Sequence, residues 1–166
     1  DGANHLKPLG ETEFVVQQAK QIEGLGGAVI DGIVAMADLR LTESLEDMLS
    51  QHSEISESRL KGIRHHAARA EYPEALSISG SAPEGLYEDT KFREGLNMLG
   101  RKGLSYDAWH YHYQNQAFTA LARSVPETIL ILDHFGTPLG VGPYAEQRNE
   151  IFIQWKKDIR EMAKCE

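Results

Sequence analysis

The feature that most constrains this chain is an alternation of short apolar, β-branched runs with longer stretches of helical periodicity. Residues 28–37, Ala-Val-Ile-Asp-Gly-Ile-Val-Ala-Met-Ala, read as a strand closing at Asp38, and residues 59–64, Arg-Leu-Lys-Gly-Ile-Arg, as a second. Residues 104–112, Leu-Ser-Tyr-Asp-Ala-Trp-His-Tyr-His, and residues 128–133, Thr-Ile-Leu-Ile-Leu-Asp, read as a third and a fourth. Helical spacing fills the intervals. It runs over 11–23 through Phe14, Val15, Ala19 and Ile22, and over 42–50 through Leu45, Met48 and Leu49, with Thr42 as the expected N-cap. It returns over 89–102 through Phe92, Leu96 and Leu99, stopped by Gly103, then over 115–124. The last stretch, 144–163, carries a stripe of Ile151, Phe152, Trp155, Ile159 and Met162. Strands that alternate with helices pair in parallel through right-handed crossovers. Two architectures obey that rule: an open doubly wound sheet, which these elements would complete, and a (β/α)8 barrel, which takes about 250 residues. Periodicity fits both.

At 166 residues, with 41% hydrophobic and 25% charged residues, the chain is expected to form one globular domain over 1–166. Apolar runs such as 129–132 are far too short to cross a bilayer, and the opening Asp-Gly-Ala-Asn-His lacks the layout of a secretion signal. A soluble protein with no membrane partner is the expectation. A single cysteine, Cys165, allows no intrachain disulfide and agrees with a reducing, cytoplasmic setting. The net charge of −8 argues against nucleic acid as a partner. The local basic residues Arg59, Lys61 and Arg64 suit a small anion better.

In a parallel α/β protein the carboxyl ends of the strands share one rim. That rim would gather Asp38, Arg64 with His65 and His66, His110 with His112, and Asp133 with His134. Neutral imidazole is both a common metal ligand and the usual general base near neutral pH, so the set suits metal-assisted hydrolysis or proton transfer. For any one histidine alone, core packing is the simpler explanation. His110 and His112 would share a face if the strand runs that far, which permits a two-histidine metal site. The alternative sends one into the site and leaves the other packed near the rim. Arg64 can grip a carboxylate through two parallel hydrogen bonds, the alternative being an ion pair with Asp38 or Asp133. Residues 67–88 form the longest loop, and its Arg69, Tyr72 and Tyr87 are expected to shape specificity. The sequence contains no Gly-x-Gly-x-x-Gly, P-loop or Gly-x-Ser-x-Gly pattern, which weakens nucleotide-binding and serine-hydrolase readings.

Five ordered segments carry a resemblance: Gly-Glu-Thr-Glu-Phe (10–14), Gly-Ile-Val-Ala-Met-Ala-Asp-Leu (32–39), Leu-Lys-Gly-Ile-Arg (60–64), Tyr-Asp-Ala-Trp-His-Tyr-His-Tyr-Gln (106–114) and Leu-Asp-His-Phe-Gly-Thr-Pro (132–138). Together the chain resembles the amidohydrolase superfamily, in its amidohydrolase-2 branch of TIM-barrel hydrolases that includes dicarboxylate and sugar lactonases and, more distantly, decarboxylases. The resemblance implies a (β/α)8 TIM-barrel fold of which these strands are roughly the third to sixth, so the chain looks like the interior of a longer protein. The family's opening His-x-His strand and its last two strands have no counterpart here.

The resemblance also implies roles. His112 looks like the fifth-strand histidine and His134 like the sixth-strand histidine, both catalytic and metal-binding. Arg64 looks like the arginine that faces a substrate carboxylate. His110, beside it on the substrate side, stands where relatives often carry an apolar residue. A divalent metal, zinc or manganese, would activate water for attack on a carbonyl, although a metal-free mechanism also belongs to this branch. Lys61 lies too deep to bridge two metals, so a mononuclear or metal-free site is expected. The implied activity is hydrolysis of a lactone or related carboxylated small molecule. Metal-dependent decarboxylation, or a non-catalytic fragment or open-sheet binding module, are the alternatives. A homo-oligomer is among the expected partners, and half a barrel by itself would expose two unpaired strand edges and an apolar interior, an aggregation-prone state.

Overall fold

The computed structural model of the chain describes residues 7–26, 28–77 and 80–165. Helices α1 (Leu9–Glu23), α2 (Thr42–Ile55), α3 (Thr90–Arg101), α4 (Asn115–Ser124) and α5 (Arg148–Met162) alternate with strands β1 (Ile33–Met36), β2 (Leu60–Arg64), β3 (Ser105–Ala108) and β4 (Leu130–Leu132). The strands form one parallel sheet in the order β1-β2-β3-β4, so each lies beside its predecessor in sequence. When every crossover has the same hand and direction, the connecting helices collect on one face. A doubly wound sheet reverses its strand order at a switch point, and the described residues show no reversal. The arrangement is therefore that of part of a (β/α) barrel.

Side-chain alternation separates the two faces of the sheet. Ala35, Ile63 and Tyr106 share a register row and are buried against the helices. There they join Leu45, Met48 and Leu49 of α2, Phe92, Leu96 and Leu99 of α3, and Phe118 and Leu121 of α4 in one core. The next row turns the other way and carries Met36, Arg64, Asp107 and Ile131. On that face Met36 is 48% and Ile131 42% exposed. In a closed barrel it would be the interior.

Local chemistry explains the start of α3. Asp89 caps α3 by accepting the Phe92 N–H at 2.9 Å. Farther along the same helix, Gly95 lets α3 approach the β1 end, since a Cβ there would lie 2.2 Å from the Leu39 carbonyl oxygen. Other ends differ from the sequence signal. Only Ile33–Met36 of the expected first strand pairs, and β3 stops at Ala108, well short of residue 112. Strand pairing needs a partner as well as propensity, and β3 meets only the short β4 on that side. Helix α2 continues past Ser50 to Ile55 because His52 extends its buried face, and Leu41, not Thr42, stands at its N-cap. Helix α5 starts at Arg148. Its Phe152 is 54% exposed and stacks on Trp155 at 5.6 Å, outside the core stripe expected of it.

Candidate active site

The rim begins where β1 ends. Asp38 accepts the Arg40 backbone N–H and Nε–H through Oδ1, at 3.0 and 2.9 Å, and the Nη2–H through Oδ2 at 2.7 Å. Those Arg40 bonds outweigh burial and hold the Asp38 carboxyl below its ordinary range. At the end of β2, His65 Nδ1 accepts the Leu39 N–H at 3.1 Å. Burial pushes this imidazole down to about 4, so it is neutral with its proton on Nε2. His66 is exposed. A cleft of about 410 Å³ opens between these groups, lined by Asp38, Arg40, His65, His66, Ser81 and Pro83.

Arg64 lies on the open face. Its Nη2 is 3.0 Å from Asp133 Oδ2, an ion-pair contact outside hydrogen-bond alignment, and 3.9 Å from Asp107 Oδ2. The ion-pair alternative is thus realised with Asp133, while Asp38 is taken by Arg40. Arg64 keeps about half of its side chain exposed, 51%, with donors to spare. Burial, then the neighbouring Asp133 charge, push the Asp107 carboxyl up. Lys61 sits near the start of β2, beside the groove formed by Leu60, Lys102 and Gly103 and away from this rim.

The paired-histidine expectation does not survive the end of β3. His110 and His112 both lie beyond Ala108, so no common strand face holds them. His110 is fully buried. Its Nδ1 meets the Tyr87 hydroxyl at 2.7 Å and its Nε2 meets Asn115 Oδ1 at 2.9 Å, so the expected substrate contact finds no free ring nitrogen. Burial holds His110 at about 4, hence neutral. Tyr87, expected to shape specificity from the long loop, is likewise a core residue at 2% exposure. His112 opens a short 3-10 turn, His112–Gln114, and its Nδ1 accepts the Leu139 N–H at 3.4 Å. In neutral His112 the proton therefore sits on Nε2, and burial favours that neutral form.

After β4 the backbone turns left-handed. His134 (φ 51°), Phe135 (φ 55°), Gly136 (φ 68°) and Thr137 (φ 39°) follow one another at positive φ. Such geometry costs about 1–2 kcal/mol per non-glycine residue, on the order of 3–6 kcal/mol here. Several bonds hold it. Trp155 Nε1–H donates to the Phe135 carbonyl at 2.7 Å, and His112 N–H donates to the Thr137 carbonyl at 3.4 Å. Gly136 is pressed on Asn115 so closely that a Cβ would lie 2.4 Å from Oδ1. Asn115 Nδ2, Asp133 Oδ2 and Thr137 Oγ1, all on or beside this turn, are buried without a hydrogen bond. The outcome is an exposed His134 on a strained, tightly held turn, the kind of feature that collects at working sites.

Sequence reasoning missed the wall beside His112. Tyr144 packs edge-on against the His112 ring at 5.7 Å and donates its O–H to Glu71 Oε2 at 2.6 Å. Tyr113 stacks on Tyr144 at 6.1 Å and donates to the Arg69 carbonyl at 2.8 Å. Gln114 ties the same loop down through the Ala67 carbonyl and the Arg69 N–H. Tyr144 follows a Gly-Pro pair far from His112 in sequence, and no periodic signal links the two. Among the described residues, no group of three or more His, Cys, Asp or Glu is placed to hold a metal ion. His112 also directs its lone pair on Nδ1 at a backbone N–H, leaving Nε2 as a donor, which is the reverse of what an Nε2 metal ligand needs. The described residues therefore do not by themselves fit a metal.

No family model matches the chain. It is 29% identical over 164 residues to the uncharacterized protein y4mH of Sinorhizobium fredii, covering 99% of this chain and 49% of that protein. It is similar in structure to an amidohydrolase from Burkholderia multivorans seen in two crystal forms. The form with bound zinc gives a TM-score of 0.69 and the form with bound HEPES 0.67, each at 21% identity over 94% of this chain. These matches take in 46% and 47% of the amidohydrolase. The chain thus spans about half the length of the proteins it matches, and it has the fold of the corresponding part of that amidohydrolase.

Proposed function

We propose that the polypeptide carrying this chain is a hydrolase of the amidohydrolase kind, directing water at the carbonyl of a lactone or related carboxylated small molecule. The observation that supports this most is the set of groups at one rim: the half-exposed Arg64 beside Asp133, the exposed His134 on its strained turn, and His112 with its Nε2 proton. The fold shared with the Burkholderia amidohydrolase agrees with it. Arg64 anchors a substrate carboxylate with the guanidinium donors that Asp133 leaves free. His134 takes a proton from the attacking water, and His112 offers Nε2–H to the oxygen on which charge develops. A divalent ion enters this proposal only with ligands added to those described here, and no step above passes through one.

The test of Arg64 is a comparison of substrates on the full polypeptide. Arg64→Met should raise KM for a lactone bearing a carboxylate and leave the uncharged analogue unaffected. An equal change for both would remove the anchoring role. Absence of turnover across lactone panels would remove the hydrolytic reading itself.

A further inference from the structure

The proposed hydrolysis makes no use of a polar chain that is almost wholly buried. Tyr87, His110 and Asn115 are 2%, 0% and 0% exposed and are linked by bonds of 2.7 and 2.9 Å. The direction of these bonds follows from the atoms. Asn115 Oδ1 only accepts, so His110 Nε2 carries the proton, Nδ1 accepts, and the Tyr87 O–H donates. The chain therefore runs one way, from the long loop, through the segment after β3, to the first residue of α4.

Its far end touches the His134 turn. Asn115 is fixed on its backbone side by Thr119 Oγ1–H donating to its carbonyl at 2.9 Å, and on its side chain by His110. The amide so held presses on Gly136, the third of four consecutive residues at positive φ, where a Cβ would lie 2.4 Å from Oδ1 and 3.5 Å from Nδ2, and its Nδ2 remains buried without a partner. Rotation of the amide would either open a gap beneath the turn or push Gly136 outward. We propose that the Tyr87–His110–Asn115 chain is a positioning device for His134, with Asn115 the residue through which it sets the height of the left-handed turn. This inference rests on the reading that His134 works at the rim. No member of the chain touches substrate. His110 thereby acquires a task different from the substrate contact expected of it.

The test is hydrogen exchange by NMR on the full polypeptide. It reads the Thr137 amide, which donates to the His134 carbonyl at 3.0 Å, beside the amides of β2. Asn115→Ala should speed exchange at Thr137 by about tenfold or more relative to β2, the loss of one stabilising contact on a locally opening segment. Tyr87→Phe removes only the hydroxyl and keeps the ring in the core, so it reads the same chain even where Asn115→Ala fails to fold. It should act in the same direction. Phe118→Leu loosens the packing 5.1 Å from the His110 ring without breaking the chain and should raise exchange uniformly. Unchanged Thr137 exchange in Tyr87→Phe, or a rise no larger than that of β2, overturns the proposal. Failure of the hydrolytic reading appears instead as absent turnover in the parent protein, so the two failures are distinguishable.

Discussion

Substituting Gly136 by alanine perturbs the turn at the position where two constraints coincide. The residue sits at φ 68°, and a Cβ would stand 2.4 Å from Asn115 Oδ1 and 3.3 Å from its Cγ. The conformational term alone costs about 1–2 kcal/mol for an L residue. The steric term cannot be relieved by a flexible chain end, because the Asn115 amide is fully buried and accepts from His110. Moving it strands a buried N–H donor, at about 1–3 kcal/mol. The sum, roughly 2–5 kcal/mol, is a large part of the ~5–15 kcal/mol that holds a domain together. It corresponds to a fall in Tm of roughly 4–20 °C for a chain of this size. Urea denaturation of Gly136→Ala beside Gly140→Ala is the assay. Gly140 has open space where its Cβ would go and no positive φ, so its variant should remain within about 0.5 kcal/mol of the parent. A Gly136→Ala protein as stable as Gly140→Ala would refute the close packing of the turn on Asn115.

Acid sensitivity follows from the imidazoles that burial holds neutral, His65 and His110 foremost. His65 and His110 are held at about 4 against an ordinary 6.5, so between those values the unfolded chain binds protons that the folded chain does not. Stability should therefore fall as pH drops from 6.5 to about 4, by roughly 3 kcal/mol for each histidine, and His110→Gln should flatten the profile in equilibrium unfolding. Asp107 has the opposite linkage. Its raised carboxyl favours the protonated form in the folded state, so its penalty grows as pH rises through the folded value, and Asp107→Asn should gain stability at neutral pH but not in acid. A gain of equal size at both pH values would count against a carboxylate penalised by burial and by the Asp133 charge.

Fold class was legible because alternation of period-two and period-3.6 patterns survives in a single sequence, and the bounds of α4 matched its pattern residue for residue. What the pattern could not give was strand order. Both architectures share the same alternation, and only the unbroken order β1-β2-β3-β4, with β2 paired to β3 and β3 to β4, separates them. Strand length was misread at residues 104–112, where the aromatic run of Trp109, His110, Tyr111 and His112 continues past the point at which pairing stops. That error propagated to His110, which looked like a rim residue but turns into the core to meet Tyr87 and Asn115. Contacts of that kind join residues far apart in sequence through hydrogen bonds, and polar residues carry no periodic trace of their partners. Arg64 and His134 could be singled out from position at strand ends alone, whereas His112 lies beyond the end of β3 and was singled out through the family resemblance, and the neighbours Tyr144, Glu71 and Asn115 needed the structure.

The central claim is that His134 on its left-handed turn serves as the proton acceptor of a hydrolase. It is tested most directly by steady-state lactone hydrolysis with the full polypeptide, parent beside His134→Ala. Turnover of at least one lactone, with kcat reduced about 10²- to 10⁴-fold in the variant and its circular dichroism unchanged, is the result expected. A variant that hydrolyses the same lactone as fast as the parent would contradict the claim.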